Sequence, residues 1–453
     1  MRIMIVGAGQ VGQYLCEKFS FEGQEVVLID RNEEKLKSLE RELNIQTFCG
    51  SGASAKVLAE AGISKTDLFI AVTDSDEVNL VACFMSRKYQ VKTRIARVRS
   101  EDLLLSDSLV DKEIFGIDLI ISPNWAMADE IIKLIQVSEA FDTAEFAEGQ
   151  VYLLGYIVGE DHPFVGKSLY EIGSMAGDVK YVMAAIIRNG KTIIPRGEDR
   201  IEAGDKIYLV ILRDDMAKVE ELFGFTSKMP ETVFIIGGGD IGYLVARQIE
   251  DMDINMELKI VEADKARCEF LSENLADSMV LNVDALDIHS LLEEGIDTAD
   301  LIISVTESDT TNILSSLMAK HYGTKRCIVK VGRHQFLPML DKLGIDVTLS
   351  PRQVAADMII RYVRRANIVA VATLLDSDAE VIELTVPDSK RFKDVPLKDL
   401  QIPKGAIIGA IVREGKAYIP SGDSVIRPGD NLVIFFTQDA AKKIENFFQS
   451  KES

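Results

Sequence analysis

No apolar run in this sequence approaches the roughly 18 residues that a membrane-spanning helix needs. Typical runs, such as 207–212 and 405–412, have the length of strands. Cysteine and histidine are scarce. The five cysteines (Cys16, Cys49, Cys83, Cys268 and Cys327) contain no C-x-x-C pair, and His162, His289, His321 and His334 show no metal-binding spacing. A disulfide framework and a zinc site are thereby excluded, and the cysteines read as small buried residues. Basic residues are outnumbered, 51 against 72 acidic, for a net charge of −21. Such a chain repels nucleic acid and anionic lipid at long range. Any contact with a membrane system must use a local basic patch or a protein partner. The opening MRIMIVGAGQVG lacks the long apolar region and small-residue cleavage site of a signal peptide. The expected location is the cytoplasm.

What is present is a repeat. IMIVGAGQVG at 3–12 is answered by VFIIGGGDIG at 233–242. LAEAGISKTDLFIAVTDSDEVN, ending at Asn79, is answered by LLEEGIDTADLIISVTESDTTN, ending at Asn312, and DLIISP by DVTLSP. The order is the same and the offset stays at about 230 residues, which indicates duplication of a whole domain. The intervening segments repeat as well: Ile194-Pro195-Arg196-Gly197 with Gly204-Asp205 matches Ile419-Pro420-Ser421-Gly422 with Gly429-Asp430. The fold expected is α/β: two Rossmann-like parallel-sheet domains, each followed by a small α+β domain. The boundaries expected are 1–140, 141–226, 231–367 and 370–453, with a linker near 223–231. After each Ser-Pro comes a helical face: Met127, Ile131, Leu134 and Ile135 in the first copy, Val354, Met358 and Tyr362 in the second. These faces suit either their own domain's core or a neighbouring subunit.

Gly7-Ala8-Gly9-Gln10-Val11-Gly12 follows a strand and opens a helix pattern. Its glycines allow a tight turn, close approach of backbone to phosphate and close helix–strand packing. Asp30 ends the next strand about 20 residues later, where an acid can accept hydrogen bonds from ribose hydroxyls. The second copy has Gly237, Gly239, Asp240, Ile241 and Gly242, with Glu262 as its acid. An acid there disfavours a 2′-phosphate, and so NADP, but does not separate NAD from ATP or ADP. Thr73 and Thr306 end the fourth strands, at the edge where open α/β sheets bind ligands. Asp76 and Asn79, and likewise Asp309 and Asn312, read either as pocket residues or as helix caps. Arg97 and its counterpart Lys330 could reach phosphate or simply face water. Asp240 stands where the first copy has neutral Gln10, so the second pocket is expected to bind polyphosphate more weakly.

These paired blocks, with their VTxSDxxN-like segments and I-P-x-G…G-D small domains, resemble regulator-of-potassium-conductance (RCK) domains. The tandem arrangement is similar to the cytoplasmic regulatory subunits of Trk-type potassium-uptake systems, over almost the whole chain. The resemblance implies NAD(H) or adenine nucleotides (ATP, ADP) as regulatory ligands. It also implies an integral-membrane potassium transporter subunit as partner and a homo-oligomer, dimer or higher, that forms a ring. The protein would then be peripheral on the inner face of the membrane through that partner, without inserting. A further acid after the third strand is common in the family; Asp284 matches it, whereas the first copy has Ser51. Two other readings stay open. One is a regulator of another cation transporter or antiporter. The other is an NAD-dependent dehydrogenase, which needs an acid or base beside the nicotinamide that neither small domain supplies at recognisable spacing. His162 reads as a turn residue. No catalytic or metal residue is expected.

Overall fold

The computed structural model describes every residue except 101–111, 138, 226–228, 253, 334–335, 364–367, 374–378, 393–394 and 450–453. His334 and the middle of the 223–231 linker lie outside the described residues. Two compact units result: residues 1–132 with 231–363, and residues 133–230 with 364–453.

The first unit holds two six-stranded parallel sheets. In spatial order the first runs Gln46–Cys49, Glu25–Asp30, Arg2–Val6, Leu68–Ala71, Thr93–Arg97 and Leu119–Ile121. Every pairing is parallel. The second repeats the order from Met279–Leu281 through Thr232–Ile236 to Val347–Leu349. The strand order reverses beside each glycine-bearing strand, so a crevice opens there at the carboxyl edge. The strands VVLI and LFIA are apolar along their length because helices cover both faces.

One of those covering helices comes from the other repeat. Pro351–Val363, which follows the second Ser-Pro, packs against the first sheet and the helix Gln10–Phe21. Ala355, Ala356, Ile359 and Ile360 join Ile3, Ile5 and Leu15 in one core. The buried stripe is therefore 355, 356, 359 and 360; Met358 and Tyr362 are only partly buried at its margin. The helix thus covers the first repeat's sheet and not its own domain's. Two small alanines let the helix lie close to the sheet, which a Val354–Met358 stripe would hold away. In the reciprocal direction, the helix Pro123–Gln136 meets the second repeat's helix Asp240–Asp251. Asn124 donates to Asp240 at 3.3 Å and Gln248 donates to Asp129 at 3.2 Å.

The second unit holds two five-stranded antiparallel sheets, ordered Lys191–Ile193, Tyr181–Arg188, Lys206–Leu212, Val151–Ile157, Asp142–Phe146, and Ile368–Thr373, Ala379–Thr385, Asn431–Thr437, Ala406–Arg413, Lys416–Tyr418. Gly409 packs directly on Val210, where an added Cβ would lie 2.8 Å from a valine methyl. The Gln150 amide grips both a carbonyl and an N–H of the other copy, donating to Gly415 at 2.8 Å and accepting from Ala417 at 3.1 Å. The repeated Gly-Asp turns hold a buried carboxylate in an arginine fork: Asp205 with Arg188, and Asp430 with Arg413. Of the cysteines, Cys16, Cys83, Cys268 and Cys327 are buried as expected, but Cys49 is exposed at a strand end. Burial pushes the Cys16 and Cys327 thiols up to about 12, which keeps them protonated.

Candidate nucleotide site

Both glycine turns have the same construction. Gly7 sits at φ 113° and Gly237 at φ 103°, a region costly for any side chain. A Cβ on Gly12 would lie 1.9 Å from the carbonyl oxygen of Gly7, and one on Gly242 2.0 Å from that of Gly237. Close helix–strand packing is therefore set by those two glycines. Gly9 and Gly239 differ: nothing lies within 4 Å of a Cβ added there. They are the N-caps of the helices Gln10–Phe21 and Asp240–Asp251, and no side chain caps either helix. The first N–H groups, on Gln10, Val11 and Gly12 and on Asp240, Ile241 and Gly242, are left for an anion. Val11 and Ile241 bury their side chains in the core, which fixes those N–H groups in place.

The acids lean on the turns. Asp30 accepts from the Ala8 N–H at 2.6 Å and from the Asn32 N–H at 2.7 Å. Glu262 does the same with Gly238 at 2.8 Å and Asp264 at 2.9 Å. Each carboxylate oxygen has a second lone pair, so a ribose can be bound by a group already held in position. Asp30 and Thr73 both line a cavity of about 300 Å³ with Arg31, Gly52, Asp74 and Val78. Ser51 lies between the lining residues Gly50 and Gly52 in the chain and accepts from Arg31 at 3.1 Å. Asp284 instead turns onto its own loop, accepting from Leu286 N–H at 2.8 Å.

Four residues have roles other than those expected. Asn79 and Asn312 are fully buried and neither line the pocket nor cap a helix. Asn79 accepts from the Thr73 N–H and hydroxyl at 2.9 and 2.7 Å, and donates to the carbonyls of Thr73 and Arg97 at 3.1 and 2.9 Å. Asn312 makes the same four bonds to Thr306 and Lys330. Each asparagine therefore joins the ends of two strands, and Thr73 and Thr306 spend their hydroxyls on that junction. Asp76 and Asp309 brace the following loop, accepting from the Arg99 and Ser100 N–H groups and from Gly332 and Arg333. The caps are Ser75 and Ser308, which accept from Val78 and Thr311 at 3.2 Å. Replacing Ser75 by alanine should cost about 1 kcal/mol, read as a lowered thermal midpoint; an unchanged midpoint would refute the cap.

Arg97 lies 3.7 Å from Asp74 with its Nε buried and without a hydrogen-bond partner. Burial, and then the nearby Arg99, lower its pKa from the ordinary arginine value. Lys330 pairs with Glu307 at 3.1 Å. Asp240 also has company. Arg267 approaches it to 3.7 Å while donating to the Gly238 carbonyl at 2.6 Å. An arginine from the next helix thus partly neutralises the acid that distinguishes the second turn from the first. Arg31, Arg99 and Trp125 were not singled out in the sequence. Only Arg31, adjacent to the acid, carried a local signal.

His162 donates from Nε2 to the Phe223 carbonyl at 2.6 Å and accepts at Nδ1 from the Phe164 N–H at 3.2 Å. A backbone N–H can only donate, so this fixes the tautomer and uses both ring nitrogens.

The TrkA-N domain model matches residues 3–123 and 233–351, and the TrkA-C domain model matches 153–224 and 381–449. The Trk system potassium uptake protein TrkA of Azorhizobium caulinodans is 34% identical over 452 residues, covering 99% of both chains. TrkA homolog 1 of Methanosarcina mazei is 34% identical over 457 residues, covering 99% of this chain and 100% of that one. The GsuK channel bound to NAD is similar in fold, with a TM-score of 0.61 at 20% identity over 99% of this chain and 79% of that chain. The GsuK RCK domain gives a TM-score of 0.61 at 20% identity over 99% of this chain and 95% of that one.

Proposed function

The chain belongs to the TrkA family, and from that premise we propose that it is the nucleotide-sensing regulatory subunit of a Trk-type potassium-uptake system. It acts as a regulator and not as an enzyme. Its ligands are NAD(H) or adenine nucleotides, in keeping with the NAD-bound channel whose fold it shares. The observation that carries this reading is the turn, acid and cavity of the first repeat: uncapped N–H groups for phosphate, and Asp30 poised at a cavity of about 300 Å³. Contact is assigned to the backbone of Gly7–Gly12 and to Asp30, with Ser51, Thr73 and Arg97 around them. In the second repeat it is assigned to Gly237–Gly242 and Glu262, with Asp284 and Thr306 around them. The domains are taken as 1–140, 141–226, 231–367 and 370–453.

A nucleotide can change ion flux only through different affinities for two arrangements of the assembly. All candidate ligands share adenosine, ribose and a phosphate, so they compete for one turn. They differ in the length and charge of the group beyond that phosphate, and that end selects the arrangement. The chain assembles as a homo-oligomer under an integral-membrane partner. Among the described residues no helix is long and apolar enough to cross a membrane. Attachment is assigned to that partner.

The test is potassium flux into vesicles holding the transporter subunit, with this chain added and each nucleotide supplied at saturation. At least two of NADH, ADP and ATP should set fluxes that differ several-fold. Flux indifferent to all three would refute the sensor reading.

A further inference from the structure

A second hollow, of about 220 Å³, is lined by both repeats: Arg99, Ser122, Asn124 and Trp125 from the first, Asp240 and Leu244 from the second. It adjoins the Asp30 cavity, because Arg99 donates to the carbonyl of Asp74, which lines that cavity. Arg99 thus stands between the two, within reach of a ligand seated by Asp30 and the first glycine turn. The hollow's walls are unusual for an empty crevice. Trp125 Nε1 is buried with no acceptor. The Asp240 carboxylate is 68% exposed at this hollow, and its ion pair with Arg267 is long at 3.7 Å. Its negative field is reduced but not cancelled.

We propose that Asp240 of the second repeat is a specificity residue for the first repeat's site. There it admits the far nucleoside of a dinucleotide and disfavours the terminal phosphate of a triphosphate. The inference rests on the nucleotide reading above and deepens it. Arg99 offers one positive charge, suited to a bridging diphosphate. A terminal phosphate carries up to two charges and would meet Asp240. A second nucleoside carries hydroxyls and an amide instead, which Asp240 can accept from. Gln10, the matching residue of the first repeat, is neutral and cannot supply this discrimination.

The experiment is calorimetric titration of the full chain with ADP, ATP and NADH. In Asp240→Asn, ATP should bind about three- to tenfold more tightly while ADP changes less than twofold. The charge-preserving Asp240→Glu should keep the wild-type ATP affinity. The gain should survive in an Asp240→Asn/Glu262→Ala double variant and vanish in Asp240→Asn/Asp30→Ala. Because Trp125 is the sole tryptophan, NADH should quench its emission by energy transfer, far more than ADP does. Unchanged ATP affinity in Asp240→Asn overturns the inference. So does a gain that disappears with Glu262→Ala, which would place Asp240 on its own turn. Indifference of every nucleotide to Asp30→Ala would instead overturn the nucleotide reading, and this inference with it.

Discussion

Nucleotide binding at the first repeat should fall by about 100-fold when Asp30 is replaced by alanine. A hydrogen bond to a charged group contributes roughly 1.5–3 kcal/mol, and a ribose offers two hydroxyls to one carboxylate. Part of that is returned to water, leaving about 3 kcal/mol, or some 100-fold in affinity. The carboxylate also braces the Ala8 and Asn32 N–H groups, so its loss loosens the turn that receives phosphate. Both effects act in the same direction. Calorimetry with ADP reads the result, with circular dichroism to show that the fold persists. Asp30→Asn keeps an acceptor and should fall between the two. A loss under fivefold for Asp30→Ala would mean that the acid is a turn brace and nothing more.

The largest effect on stability is expected at Asn79. Truncation to alanine removes four hydrogen bonds from a fully buried side chain. Its partners include the Thr73 N–H and the carbonyls of Thr73 and Arg97. Alanine offers those groups no donor or acceptor in exchange. An unsatisfied buried group costs about 1–3 kcal/mol, and the vacated volume adds to it. The expected total is about 3–5 kcal/mol. A chain of several domains need not unfold in one step, so the quantity to read is the midpoint of the first thermal transition. Asn312→Ala should cost a similar amount in the second repeat. Aspartate does not rescue either site, since it cannot donate to two carbonyls. A loss below about 1 kcal/mol would refute the junction.

Much of this architecture was legible because the chain states it twice. The glycine turns, the acids about 20 residues on and the four sheets all arise from local patterns whose periods are short. Asp30 and Glu262 stand at their turns as expected. The sequence was mute wherever a side chain's partner lies far away along the chain. The amphipathic pattern after Pro351 announces an apolar face but not the sheet it covers, nor that two alanines form its centre. Asp76 and Asn79 have the composition of a cap, yet Asn79 bonds to a strand end and Asp76 to the loop beyond it, some 20 residues later; only the fold brings that backbone near. Arg267 and Asn124 converge on Asp240 from two different repeats, and no spacing rule predicts that meeting.

The exchange of helices also bears on how the protein is made. The first sheet's core is completed by Ile359 and Ile360, encoded about 240 residues after its own last strand. At ordinary synthesis rates of about 5–20 residues per second, that helix emerges roughly ten to fifty seconds later. Throughout that interval the nascent first repeat presents an uncovered apolar face around Ile3, Ile5 and Leu15. The first half of the gene thus encodes a product that waits on the second half. Holding chaperones should be most engaged with nascent chains between about 130 and 360 residues long.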